Sequence, residues 1–336
     1  MLVVRPAGPD DLPALMELAV LSGRGFTSLP EDEPTLRERL EISAQSFRGE
    51  VAPVEAWYTL MLEDDDTGEV AGVAGVKAAV GLKRPFFSFR VVTLAQASSV
   101  AATRFDHTAL VLVNENAGWT EVGSLFLRPE RRKGGAGSLL ALSRYLMIAS
   151  DPARFSENVL AELRGWFDDD GTCPFWETVG CRFFRIPFDQ ADMMSASTDG
   201  QFILDLAPRH PIYVELLDKP ARDAIGRVHR EGEPARALLE KEGFRSTGLV
   251  DIFDAGPTYG ARRDDIRTIK GAQRLSVQVG GEEATGRPAL VSSGALNGFR
   301  CVRTRVDDVA PGRAGLSAET ARTLSVRDGD PVMVSA

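Results

Sequence analysis

The run Arg132-Lys133-Gly134-Gly135-Ala136-Gly137 has the residue types of an anion cradle. Glycines let the backbone approach a ligand closely. A helix starting there would aim free N–H groups and its dipole at negative charge. Residues 138–150 predict such a helix, with Leu139, Leu142, Leu146 and Ala149 along one side. Arg131, Arg132 and Lys133 add positive charge, and residues 120–127 ahead of the loop read as a strand. A strand, a basic R-x-x-G-x-G loop and a helix start together suit a pyrophosphate. No Gly-Lys-Ser/Thr follows, so this is not a Walker A motif, and the dinucleotide fingerprint G-x-G-x-x-G is absent. The plain alternative is a glycine turn beside a solvated basic run.

Acid–base chemistry points first to His229, whose unperturbed pKa sits near working pH. The spacing of Ala221, Ile225 and Val228 predicts a helix over 221–228, whose C-terminal dipole would favour a protonated His229. The competing role is structural capping. His210, in Arg-His-Pro-Ile-Tyr, reads as a structural histidine, and His107 as a surface one. Glu121, Glu162 and Arg164 fall on predicted strands close to the loop, and Arg90 in FFSFR is a further anion binder. Each competes with an ordinary surface or packing ion. Asp251 and Asp254 either bind a cation or make turns. Phe86, Phe87 and Phe89 read as core packing.

These residues need a frame. Strands are expected at 2–4, 57–62, 69–80, 109–113, 120–127, 159–163, 182–186, 202–206 and 249–253. Helices are expected after Asp10 or Asp11 as cap, at 33–47, over 175–179 ending at Gly180, at 221–228, and from Pro234 to a stop at Gly243. The loosely alike stretches PFWETVG-CRFF and PARALLEKEG-FR hint at two related halves. After residue 270 short β-branched runs alternate with glycine turns, which predicts a small β-rich module.

The chain has 336 residues, a prior of about two domains. A net charge of -9 argues against a general binder of nucleic acid or anionic membrane. Three cysteines without a C-x-x-C pair suit a reducing compartment, and three histidines make a His/Cys metal cage improbable, so no metal is expected. The longest charge-free stretch, 91–103, is too short and polar to span a bilayer. A cytoplasmic protein is expected.

The glycine loop and its flanking elements resemble the acyl-CoA site of the GNAT superfamily. The resemblance implies that the loop holds the pyrophosphate of coenzyme A and that the strand at 120–127 splays from its neighbour to hold the pantetheine arm. A closer resemblance, from residue 1 to about 269 and more faintly beyond, is to the arginine N-succinyltransferase family. It is carried by LVVRPA, FTSLP, SLFL, AELRG, RHPIY, IGRVH, PAR-LLEKEGFR and VDIFDAGPT. It implies succinyl transfer from succinyl-CoA to the α-amine of L-arginine, in arginine catabolism. It also implies His229 as proton donor and Leu125 as a succinyl-CoA contact, beside Arg132, Gly134, Gly135 and Gly137. Arg90, Glu121, Glu162 and Arg164 are then the expected substrate ligands. The expected architecture is α+β: a GNAT-like acyl-CoA half at 1–190, a second GNAT-like half at 191–269 supplying His229, and the β-rich module at 270–336. Gln96, Glu115, Gly123, Arg230 and the STDGQ stretch before Phe202 depart from the family pattern. They leave open ornithine or another amine as acceptor. An idle acyl-CoA-binding subunit of a hetero-oligomer is the contrasting reading, and a homo-oligomer is equally compatible.

Overall fold

The computed structural model describes residues 1–26, 28–197, 200–281 and 284–336. Thr27 of FTSLP, Thr198 and Asp199 of STDGQ, and Glu282 and Glu283 lie outside the described residues. In chain order the first strands are β1 (Leu2–Pro6), β2 (Trp57–Asp64), β3 (Val70–Lys77), β4 (Ser88–Ser98), β5 (Thr103–Val113), β6 (Thr120–Leu127) and β7 (Asn158–Glu162). Then come β8 (Ile212–Tyr213), β9 (Arg245–Asp251), β10 (Pro257–Arg262), β11 (Gln273–Val279), β12 (Arg287–Ser293), β13 (Cys301–Ala310), β14 (Arg313–Leu316) and β15 (Pro331–Ser335). The helices are α1 (Leu12–Ser22), α2 (Glu33–Arg48), α3 (Ala136–Ser150), α4 (Cys181–Phe184), α5 (Phe188–Ser197), α6 (Gln201–Leu206), α7 (Lys219–Ala224), α8 (Glu233–Glu242), α9 (Arg267–Lys270) and α10 (Ala318–Thr323). The class is α+β, as the sequence pattern predicts.

One continuous sheet runs β1-β2-β3-β6-β7-β10-β9-β4-β5-β8. Apolar alternation sends Tyr58, Leu60 and Leu62 of β2 to the face covered by α3. Met61 of β2 and Val73 of β3 point to the opposite face, under α1 and α2. A second core, rich in aromatics, joins Phe89, Trp166, Phe175 and Trp176 to Ala224, Val250 and Phe253. Strands and core residues from before and after position 190 are thus packed together. β4 pairs with β5 along its length but with β9 only through Ser88, Phe89 and Arg90, so the hairpin tip projects beyond the sheet.

The C-terminal strands close on themselves. β13 pairs with β12, β12 with β15, β15 with β11, β11 with β14, and β14 with β13. The interior of this small barrel is aliphatic, with Val277, Val291, Val306, Leu316 and Val332 buried. It is fastened to the main sheet where β13 also pairs with β1, Val3 opposite Val302 and Val4 opposite Cys301.

Several local expectations are corrected. Residues 202–206 form helix α6, not a strand: Ile203 and Ala207, four apart, are the buried positions, and Leu204 and Leu206 face solvent. Gly180 does not end a helix. A wide turn at Trp176–Gly180 runs on into α4, so 182–186 is no strand, and Arg185 ends the helix at φ 55°. Asp11 does not cap α1; its carboxylate accepts from the Gly8 N–H at 2.7 Å and from both Arg5 Nη atoms. The helix expected over 221–228 stops at Ala224, because Gly226 turns at φ 71° and donates its N–H to Ala255 O. The long β4–β5 hairpin extends well beyond the expected strand at 109–113, since its outer half is polar and lacks a buried face.

Gly180 is needed for the aromatic core. A Cβ there would lie 2.1 Å from Cε3 of Trp176, which is fully buried and stacked on Phe184. Gly180→Ala should therefore destabilise the fold by about 1–3 kcal/mol, the range for overpacking. Chemical denaturation of both proteins tests this, and an unchanged midpoint would show that the ring has room.

Candidate active site

The cavity is built around β6. Its parallel neighbour β7 pairs with it at only two positions, Thr120 with Val159 and Glu121 with Leu160. Beyond Glu121 the strands part. On the other edge, the β3–β6 register shifts where Ser124 adopts φ 49°. Such a bulge bends a strand and re-aims its side chains. The backbone of Gly123, Ser124 and Leu125 is left without a β7 partner, and these residues line a cavity of about 1180 Å³.

The glycine loop closes one end of it. Gly134 and Gly135 have φ 64° and 80°, the left-handed region that disfavours side chains, and they swing the chain into α3. Gly135, Gly137, Arg132 and Lys133 line the cavity; Gly134 makes the turn but is not in its lining. Arg131 turns away to Glu69. The first N–H groups of α3 have no acceptor four residues back within the helix, so this rim is an electropositive seat for an anion.

His229 borders the same cavity. It sits at the start of the turn Arg230–Gly232, which runs on into α8. The expected dipole is therefore reversed: a helical start disfavours the imidazolium. Its backbone N–H donates to Arg164 O at 2.8 Å, and its Nδ1 accepts the Glu231 N–H at 3.2 Å. Burial and then the Arg164 guanidinium hold the imidazole below its ordinary 6.5. With Nδ1 accepting, the neutral ring carries its proton on Nε2. The Glu231 carboxylate lies 3.8 Å from Arg132, so the histidine segment and the glycine loop meet.

The remaining wall is acidic. Glu121 pairs with Lys77 at 2.9 Å, and Lys77 rests over the Trp57 ring. Glu162, at the end of β7, has a buried Oε1 without a hydrogen-bond partner among the described residues. Burial, then Asp251, Glu121 and Asp254, push its carboxyl well above the usual range. Asp254 is pushed up by burial and Asp251, although it accepts from the N–H groups of Gly165 and Gly256, each at 2.7 Å. Asp251 accepts from Phe253 and Asp254. Both aspartates thus make turns and face the cavity at once. Uncharged or strained acids beside one another favour an incoming cation.

Leu125, Arg132, Gly135, Gly137, Glu121, Glu162, Arg164 and His229 come together around this cavity. Arg90 does not. It makes a two-pronged pair with Glu115 and donates to Thr247 O at 3.1 Å, outside the lining. His107 lies edge-on to Phe105 and Tyr213 on the hairpin, and His210 is exposed. Sequence reasoning missed Arg39, Lys77 and Arg144. Each stands in a segment whose periodicity marks a helix or strand but not which cation has a special role. Arg39 lies over Trp57, and burial, then Arg84, bring it down to about 10. No helix among the described residues is long and apolar enough to cross a membrane.

Residues 2–268 match the family described as arginine N-succinyltransferase beta subunit, and residues 273–336 match its C-terminal domain. The chain is 41% identical over 333 residues to an arginine N-succinyltransferase of Escherichia coli (strain 55989 / EAEC), covering 99% of this chain and 96% of that one. It is 42% identical over 334 residues to that of Citrobacter koseri, with the same coverage. Among solved structures, it is similar to arginine/ornithine succinyltransferase subunit AI from Pseudomonas aeruginosa, at TM-score 0.90 and 36% identity over 100% of this chain and 98% of that one.

The electrostatics around His229 are measurable by NMR. Its midpoint should lie below 6.5. Arg164→Gln should raise it by removing a cation, and Glu231→Gln should lower it further by removing an anion. A folded midpoint below the unfolded one means that the unfolded chain binds more protons, so this group costs stability as pH falls below about 6.5. A wild-type midpoint at or above 6.5 would contradict the described environment.

Proposed function

The chain belongs to the arginine N-succinyltransferase family, and from that premise we propose that it moves a succinyl group from succinyl-CoA to the α-amine of L-arginine. Acyl-CoA is the co-substrate type. One observation carries the reading: the glycine loop ahead of α3 and His229 ahead of α8 border one cavity, bridged by Arg132 and Glu231. The loop residues Arg132, Gly134, Gly135 and Gly137 suit the pyrophosphate, with Gly134 acting through the turn. The unpaired edge of β6 around Leu125 suits the pantetheine arm and the thioester carbonyl.

The chemistry follows from the groups present. The neutral amine attacks the thioester carbon, the carbonyl oxygen becomes an oxyanion, and the carbon–sulfur bond breaks. The amine loses one proton as its bond to carbon forms, and the thiolate must gain one. His229 is the proton donor to sulfur. Its ring is held toward the neutral form in the free protein, so it first takes up the proton that the amine releases and then hands one to sulfur, and the count closes. The acidic wall of Glu121 and Glu162, with Asp251 and Asp254 beside them, suits the guanidinium of arginine. Arg164 suits its carboxylate. Arg90, held by Glu115, has no part in this reading.

Ornithine is a second acceptor to test, since the Pseudomonas aeruginosa relative is named for both. Its ammonium would meet the same acids. Thiol release from succinyl-CoA with arginine, ornithine or lysine offered in turn, and acetyl-CoA as control donor, tests the reading. Fast release with arginine supports it. Binding of coenzyme A with no release on any amine would support an idle subunit instead. His229→Ala should lower turnover by about 10²–10⁴, the usual contribution of a positioned acid or base. Turnover within about twofold of wild type would remove His229 from the mechanism.

A further inference from the structure

Most cations on the cavity wall stand beside an acid. Lys77 is paired with Glu121, and Arg132 with Glu231. Arg39 feels Glu121, Glu38 and Asp32, and Arg164 feels Asp254, Glu231 and Asp192. Lys133 is exposed on the rim of the glycine loop, where an anion is already accounted for. Arg144 is different. It is 3% exposed, within the wall, and no carboxylate pairs with it among the described residues. The one charged-group neighbour acting on it is the phenol of Tyr145, itself buried.

An unpaired buried guanidinium is costly, so something must make it worthwhile. Two of its three nitrogens are occupied: Nε donates to Ala141 O at 3.1 Å and Nη1 to Gly123 O at 3.3 Å. Nη2 makes no hydrogen bond among the described residues. The contact with Gly123 fixes the head of Arg144 against the β6 edge, two residues before Leu125. A helical rise puts Arg144 about 12 Å farther along α3 than Ala136 at the phosphate seat. That direction leads from the phosphate seat toward the parting of β6 and β7, where an acyl group carried on β6 would project.

We propose that Arg144 receives the distal carboxylate of the succinyl group and thereby selects this acyl donor over uncharged ones. This rests on the transferase reading above. The acidic wall and Arg144 then divide the two substrates by charge: the acceptor's guanidinium goes to Glu162, Asp251 and Asp254, and the anionic acyl end goes to a deep cation that no acid pairs with among the described residues.

The test compares succinyl-CoA with butyryl-CoA, a neutral donor of the same chain length. In the wild-type protein kcat/KM should favour succinyl-CoA. Arg144→Gln should shrink that preference roughly 10- to 100-fold, the worth of a charge-assisted hydrogen bond. Inhibition by free coenzyme A, which lacks the acyl group, should stay as in wild type. Arg144→Lys, which keeps the charge, should retain more of the preference than the Gln variant. An unchanged donor ratio in a folded Gln variant overturns the proposal. Should that variant not fold, calorimetry on the wild-type protein decides: succinyl-CoA should bind at least about tenfold tighter than butyryl-CoA, and equal affinities overturn the proposal. If the wild-type protein transfers no acyl group to any amine, the transferase reading has failed, and the same calorimetric comparison still decides whether a carboxylate is read.

Discussion

The parting of β6 from β7 is the constraint on which the site depends. Parallel strands normally satisfy each other's backbone along their length, and leaving that backbone unpaired away from water costs free energy. Here pairing stops after Glu121 and Leu160, and a bulge at Ser124 turns the strand aside. Arg144 satisfies one of the freed carbonyls, that of Gly123. The others along this edge have no partner on β7 and line the cavity, where a substrate rich in amide groups can meet them. The glycine loop at the far end and the His229 turn across from it are arranged around that opening.

Charge is sorted around the same opening. Glu162, Asp251 and Asp254 crowd together on the β7–β9 side, and burial together with their mutual repulsion keeps them eager for a cation. Cations occupy α2, α3 and the glycine loop. Arg132 and Glu231 bridge the two regions at 3.8 Å, weakly enough that a bound phosphate can compete for the arginine. His229 lies on the acidic side of that bridge, yet burial, and then the Arg164 guanidinium, hold its ring toward the neutral form.

Much of this was legible in the residues. The strand, the basic glycine loop and the amphipathic helix behind it are local patterns, and each is where the pattern puts it. The same local logic failed where a tertiary contact overrode it. Gly180 looks like a helix stop, but its missing Cβ makes space for Trp176. Gly226 cuts short a helix whose apolar spacing continues to Val228, and this turns the environment of His229 from a helix end into a helix start. Arg90 looks like a free anion binder until Glu115, on a loop 25 residues away, is brought against it. Arg144 was invisible, because periodicity tells which residues face inward and not which inward-facing charge lacks a partner.

The attachment of the barrel also has a consequence for synthesis. β1 is made well ahead of β13, whose Val302 and Cys301 pair with its outer edge. At about 5–20 residues per second, some 300 residues take on the order of 15–60 s to emerge. Through that interval the growing chain carries an open strand edge on β1, backed by buried Val3 and Val4. The nascent protein is therefore most exposed to wrong strand pairing before the barrel leaves the ribosome. Truncation within the barrel would make that transient hazard permanent.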